Sequence, residues 1–283
     1  MAGTEKLGVR WTVGDVSPRG FEALRLSVWG AWKVFGPEAA YAVCVNSLSV
    51  KEVRARTGEV PPAVAWHAAT GEPPAFLRAS LDDGMAEGVA WKFVPLRLFE
   101  DRYELALDND CILWAMPRAI RVWLEGGDLR RCVLAEDVRT GFGRFAALCG
   151  PEPRNAGIRG LPPGFDLEQA LREALDLSPG PLASELDEQG LQVAALSRDG
   201  EPLTVTLDEV TVCSPFPPHL PHLGRCGAHF VGQNVRHVPW EDRGRPGEEW
   251  LADHWRRHAD ALYRAVGIQP DRVLMAGVDR AAR

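Results

Sequence analysis

No uninterrupted apolar run in this chain of 283 residues reaches the roughly 20 residues that a bilayer-spanning helix needs. The opening "MAGTEKLGVR" lacks the apolar stretch of a secretion signal, so the expectation is a cytoplasmic protein with no membrane span. No C-x-x-C pair occurs. The six cysteines, at 44, 111, 132, 149, 213 and 226, are scattered through apolar segments and read as reduced, buried small hydrophobes rather than a disulfide framework. Basic charge is in deficit. A net charge of −7 argues against a generally nucleic-acid-binding surface. Internal repeats and low-complexity tracts are absent, which leaves an ordinary globular composition, 46% hydrophobic and 25% charged, with a core large enough to need no staples.

What is present begins with periodicity. "GVRWTV" reads as a short strand ending at Gly14 and Asp15. The next segment opens with Ser17 as a cap and Pro18 at the first helical position. It carries Phe21, Leu24, Val28, Trp32 and Phe35 on one stripe, and stops at Gly36. "AAYAVCVNS", "PAVAWHAA", "YELALD" and "RRCVLAED" read as strands, and "SVKEVRARTG", "PRAIRVWLEGG" and "DLEQALREAL" as helices. "PLTVTLDEVTVCS" alternates like one strand, "SPFPPHLPHLG" must be a loop, and a helix follows near the C-terminus. Alternation of this kind predicts an α/β protein with a mostly parallel central sheet flanked by helices, plus a C-terminal helix.

In such sheets ligands bind beyond the carboxyl ends of the strands. Asp15 and Asp108 both fall there. "YELALDNDCILW" delivers Asp108 and Asp110 between two apolar runs, where a buried strand would avoid charge. With 18 aspartates in the chain, one D-x-D is expected by chance, so its position says more than its presence. Two readings stand: an Asx-type turn with a second solvated acid, or two carboxylates converging on a hard divalent cation.

Three further segments follow in order. "RNAGIRGLPPG" offers Asn155 among small residues, "ELDEQGLQVAAL" gathers Asp187, Glu188 and Gln189, and "GAHFVGQNVRHVPW" holds His229, Gly232, Pro239 and Trp240. Together with the D-x-D they resemble the retaining glycosyltransferases of family eight, the group of glycogenin and the bacterial lipooligosaccharide galactosyltransferases. That family has F-N-[AS]-G, D-Q-D-x-L-N and H-[FY]-x-G-x-x-K-P-W in the same order. The resemblance spans roughly Val9 to Trp240.

It implies a GT-A nucleotide-diphospho-sugar fold over residues 1–240, with a nucleotide-binding part at about 9–115 and an acceptor part at about 116–240. Residues 241–283 would be a C-terminal helical extension. It implies a metal-dependent hexosyltransferase using a UDP-sugar, with Asp108, Asp110 and His229 on the cation, manganese by preference. Thr12 and Asp15 would receive the nucleotide, Asn155 and Gly232 would contact the donor, and Glu188 and Gln189 would stand at the reacting sugar carbon. The sequence departs from the family at Arg154, where an aromatic precedes the Asn, and at Gly190, where the second acid of D-Q-D belongs. The final motif has two extra residues and places Arg236 or His237 at the phosphate-binding Lys.

Blander roles exist for each residue. His229 could be a core histidine bonded to a carbonyl, Gln189 a helix cap, and Asn155 a turn residue. Two rivals carry different functions. His219, His222, Cys226 and His229 form H-x2-H-x3-C-x2-H, a ligand set for structural zinc that would make the segment a binding module. A nucleotidyltransferase would also place acids at strand ends, but would open with a Gly-rich, basic loop where "TVGDVSPRG" has only Arg19. The ten tryptophans and the C-terminal helix fit core packing, an acceptor platform or a subunit contact, which leaves a homo-oligomer open.

Overall fold

A computed structural model describes residues 6–69, 73–81, 91–234, 238 and 240–271, and all structural statements below concern these. The elements in order are β1 (Leu7–Val13), α1 (Pro18–Phe35), β2 (Ala40–Val45), α2 (Val50–Thr57), β3 (Val64–Ala68), α3 (Ala75–Arg78), β4 (Tyr103–Leu107) and β5 (Cys111–Leu113). Then come α4 (Arg118–Gly126), β6 (Val133–Glu136), β7 (Arg154–Leu161), α5 (Leu167–Leu177), α6 (Glu185–Leu196), β8 (Leu203–Val205) and β9 (Val210–Cys213). The chain closes with β10 (Gly227–Phe230), a small ribbon of β11 (Glu241–Asp242) and β12 (Arg245–Pro246), and α7 (Gly247–Val266).

Seven strands form the central sheet in the order β3-β2-β1-β4-β7-β6-β8. β1 runs parallel to both β2 and β4, while β7 runs antiparallel to its neighbours β4 and β6. The strand order therefore reverses between β1 and β4, the place where open α/β sheets leave a crevice. A second sheet of order β5-β10-β9 stands beside it. "PLTVTLDEVTVCS" is not one strand. It divides into β8 in the central sheet and β9 in the small one, because Glu209 N and Val210 N both turn back to Thr206 O.

α1 forms as its sequence predicts. Ser17 accepts from Gly20 N at 3.1 Å, and Gly36 ends the helix at φ 80°. Phe21, Leu24, Val28 and Phe35 enter the core against β1 and β2, yet Glu22, Arg25 and Ser27 are buried too. Ser27 is buried between β1 and β5, accepting from Trp11 Nε1 and donating to Cys111 O, while Glu22 is buried because α7 covers the helix's other side. Trp255, Leu262 and Val266 of α7 pack with Ala23, Leu26, Ile112 and Phe230, and the Glu22 carboxylate accepts from Trp255 Nε1 at 2.7 Å and Tyr263 Oη at 2.8 Å. A further core, built on Leu134, Leu161, Leu171 and Leu191, lies under α5 and α6. All six cysteines are buried and free. Among the described residues no helix is long and apolar enough to cross a membrane.

Candidate active site

One cavity of about 570 Å³ opens at the β1/β4 reversal. Its wall includes Thr12, Asp15, Asp108, Asp110, Asn155, Glu188, Gln189, His229 and Gly232, so the residues expected at the metal, the nucleotide and the sugar reach the same space. Arg236 and His237 lie outside the described residues.

The acids arrive by strand geometry. β4 ends at Leu107, whose register partner is Ile158 of the antiparallel β7, and Asp108 N continues the ladder to Gly157 O at 2.9 Å. Cys111 N then bonds Asp108 O, which closes a tight turn around Asn109. The D-x-D is thus a turn, and also more than a turn, because Asp110 is 3% exposed rather than solvated. Its Oδ2 accepts from Asn234 Nδ2 at 3.3 Å. Its Oδ1 is buried with no hydrogen-bond partner. His229 comes from β10 in the small sheet, with Nε2 3.3 Å from that Oδ1 and 3.7 Å from Asp108 Oδ2. One ligand atom from each of the three lies within 4.8 Å of the others. Two carboxylate oxygens and an imidazole nitrogen around an unsatisfied buried oxygen fit a divalent cation of the manganese class.

Charge balance inside the cavity involves a residue that sequence reasoning did not select. Lys92, on the turn Trp91–Phe93, places Nζ 2.9 Å from Asp108 Oδ2 and 3.7 Å from Glu188 Oε2. Burial alone would raise the Asp108 carboxyl, but Lys92 and His229 outweigh it and hold the group below the usual range. Burial would likewise lower His229, and Asp110 with Asp108 raises it instead. For Glu188 burial wins over Lys92 and Arg159, so its pKa stands above normal. Lys92 has no local signal in the sequence. Asn46 and Ser47 follow β2 as Asp15 follows β1, and line the same crevice.

The sugar-end candidates hold one another. Asn155 Nδ2 donates to Gln189 Oε1 at 3.3 Å and to Asp137 Oδ2 at 3.2 Å, while Gln189 Nε2 donates to Gly141 O at 3.0 Å. Asn155 is buried on β7, so the segment "RNAGIRGL" is a central strand whose small residues admit neighbours. Gly157 shows why. A Cβ there would stand 2.3 Å from His229 Cε1 and 2.5 Å from Nδ1. Gly157→Ala should therefore displace the imidazole and weaken manganese binding about ten- to a hundredfold, read by metal titration with circular dichroism as the fold control. Unchanged affinity would separate His229 from the cation.

Gly190 has an equally concrete cause. Its Cβ would meet Phe142 O at 2.1 Å, so α6 approaches the 142–145 segment too closely for any side chain. Gly190→Asp, which introduces the second acid of a D-Q-D-type segment, should destabilise the protein by about 1–3 kcal/mol through overpacking. A chemical melt with no loss would show that the helix can retreat. Asp187 serves structure rather than the cavity, accepting from Arg144 N at 2.9 Å and Ala183 N at 3.0 Å.

The rival zinc loop is not assembled. No three of His219, His222, Cys226 and His229 bring ligand atoms together. His219 Nδ1 faces Phe216 O at 3.1 Å, Cys226 Sγ faces Met116 O at 3.9 Å, and His222 is exposed. β10 turns His229 toward Asp110, away from that loop.

No family model and no curated protein matches the sequence. Solved structures do match. The crystal structure of an active-site mutant of LgtC superposes at TM-score 0.50 with 13% identity, covering 88% of this chain and 99% of that one. A second, described as the galactosyltransferase LgtC in complex with donor and acceptor sugar analogues, superposes at TM-score 0.48 with 12% identity, covering 96% and 99%. The fold is accordingly GT-A-like, as expected from the sequence.

Proposed function

We propose that this protein is a metal-dependent glycosyltransferase that moves a sugar from a nucleotide-diphospho-sugar, a UDP-sugar by preference, to an acceptor with retention of configuration. The observation that carries the reading is the convergence of Asp108, Asp110 and His229, from two sheets, at the strand-order reversal of a GT-A-like fold. Residues at about 9–115 would bind the nucleotide and those at about 116–240 the acceptor, with the C-terminal helix as an extension and a cytoplasmic location.

Thr12, in the last residues of β1, and Asp15, just beyond it, line the cavity and would receive the nucleoside, with Asp15 steadied by Arg56 Nη1 at 2.8 Å. Asp108, Asp110 and His229 would hold the cation, which when bound supplies Lewis-acid stabilisation of the departing diphosphate, so the leaving group needs no general acid. Asn155 fixes the amide plane of Gln189, leaving Oε1 anchored at the cavity wall. Glu188, held beside Lys92, and Gln189 then supply the oxygens that stabilise an oxocarbenium-like sugar. Gly232, with φ 88°, turns the backbone at the rim without a side chain in the way.

Incubation with a panel of nucleotide sugars and manganese, scoring nucleotide release, tests the activity. The anomeric configuration of the product by NMR tests retention. No release from any donor, with manganese binding intact, would remove the transferase reading.

A further inference from the structure

A second cluster of metal-ligating side chains lies behind β10. His229 faces the cavity, so the next residue, Phe230, faces the opposite side of the strand. Cys213, at the end of β9, is the register partner of Phe230. His254 and His258 stand one turn apart on α7 and therefore share a face. Both rings pack on Phe230 at 5.9 Å, and on each other at 4.7 Å with planes 71° apart. Cys213 Sγ is 3.3 Å from His254 Nε2, and one ligand atom from each of the three residues lies within 4.8 Å of the others.

Two ligands of a tetrahedral zinc, at about 2.3 Å for sulfur and about 2.0 Å for nitrogen, stand roughly 3.5 Å apart. The Cys213–His254 separation already matches. His258 Nε2 meets Pro221 O at 3.1 Å, the outer carbonyl contact that orients a ligating imidazole and leaves Nδ1 as the donor atom. His254 is 1% exposed, and its Nε2, the ring nitrogen that faces Cys213 Sγ, is the one that would ligate; its buried Nδ1, on the far side of the ring, makes no hydrogen bond. His258 is only half-buried, so the cluster opens to solvent on one side and a water can complete four-coordination.

We infer that Cys213, His254 and His258 form a zinc site, separate from the oxygen-rich cation site and different in its choice of metal. Sulfur and imidazole ligands select zinc or cobalt, whereas Asp108, Asp110 and His229 suit manganese. On binding, the Cys213 thiol releases its proton to solvent and the ion takes its place on sulfur. The site would tie α7 to the small sheet.

Cobalt(II) titration of the full chain, stripped with chelator, tests this. The expected result is one equivalent of cobalt giving a sulfur-to-cobalt charge-transfer band, which two carboxylates and a histidine cannot produce. The band should vanish in Cys213→Ser and persist in both Cys226→Ser and Asp110→Asn. His258→Ala, at a half-buried position that keeps the fold, should weaken zinc at least about tenfold in competition with the chelator. Absence of the band from the wild-type chain, its survival in Cys213→Ser, or its loss in Cys226→Ser would each overturn the assignment. Because Asp110→Asn keeps the band, failure here is distinct from failure of the transferase reading.

Discussion

Asp110→Asn should abolish manganese-dependent binding of a UDP-sugar while leaving the fold intact. The substitution removes charge without opening a cavity, and Asn234, 3.3 Å from Oδ2, can still pair with the new amide oxygen. What disappears is the anionic character of Oδ1, the buried oxygen that has no hydrogen-bond partner and lies 3.3 Å from His229 Nε2. Loss of an outer-sphere partner costs about ten- to a hundredfold in metal affinity, so loss of a ligand should exceed about a hundredfold. Asp108→Asn should do the same and also leave Lys92 with Glu188 as its sole acidic neighbour among the pairs it now makes. Calorimetric titration of manganese and UDP-sugar against both variants decides the matter. If both bind with unchanged metal dependence, the D-x-D is a turn and nothing more.

Glu104→Ala should be the most destabilising single change away from the cavity. Glu104, the second residue of β4, has no exposure, and its Oε1 accepts from Arg10 Nε at 2.8 Å. Its Oε2 accepts from Leu98 N at 2.7 Å and Phe99 N at 2.6 Å. Arg10 in turn donates to Pro95 O at 3.1 Å and Leu96 O at 2.9 Å. Removing the carboxylate leaves the buried Arg10 charge uncompensated, with Nε and the two amides lacking an acceptor while Nη1 and Nη2 keep theirs, a loss of about 3–5 kcal/mol. The double variant Arg10→Met, Glu104→Leu should recover part of that loss, since the uncompensated charge is gone while the two amides still lack an acceptor. Denaturant melts of the single and double variants measure the difference. A single variant as stable as the wild type would mean that segment 95–99 is held by other contacts. The same network fixes the chain that follows Lys92, so the single variant should also lose affinity for the donor.

Much of this was legible. Ser17, Pro18 and Gly36 bounded α1 because caps and breakers act locally. Asp15 and Asp108 were visible as strand-end residues because that rule needs only the end of an apolar run and the class of sheet. Where the reading stopped, partners were distant in sequence. Lys92 sits in an irregular segment whose position is set by Arg10 and Glu104, neither adjacent in the chain. The division of "PLTVTLDEVTVCS" depends on which sheet each half joins, and its alternation is the same in either case. The α7 stripe showed an apolar face but not that Trp255 and Tyr263 would reach Glu22 of α1. The local zinc spacing could stand only as a rival to the long-range site, and spacing alone could not dismiss it, because spacing does not say which way β10 faces.

Leu107 is the last residue of β4 and Cys111 the first of β5, so three residues carry the chain from the large sheet into the small one. Asp108 and Asp110 ride on that joint, and His229 rides on β10, paired with β5. The three ligand atoms can meet only while the two sheets keep their mutual tilt. Substitutions deep in β5, β9 or β10, at residues that never touch a donor, would swing Nε2 away from the carboxylates. A mutational survey should therefore find binding defects strung along the small sheet as well as around the cavity mouth.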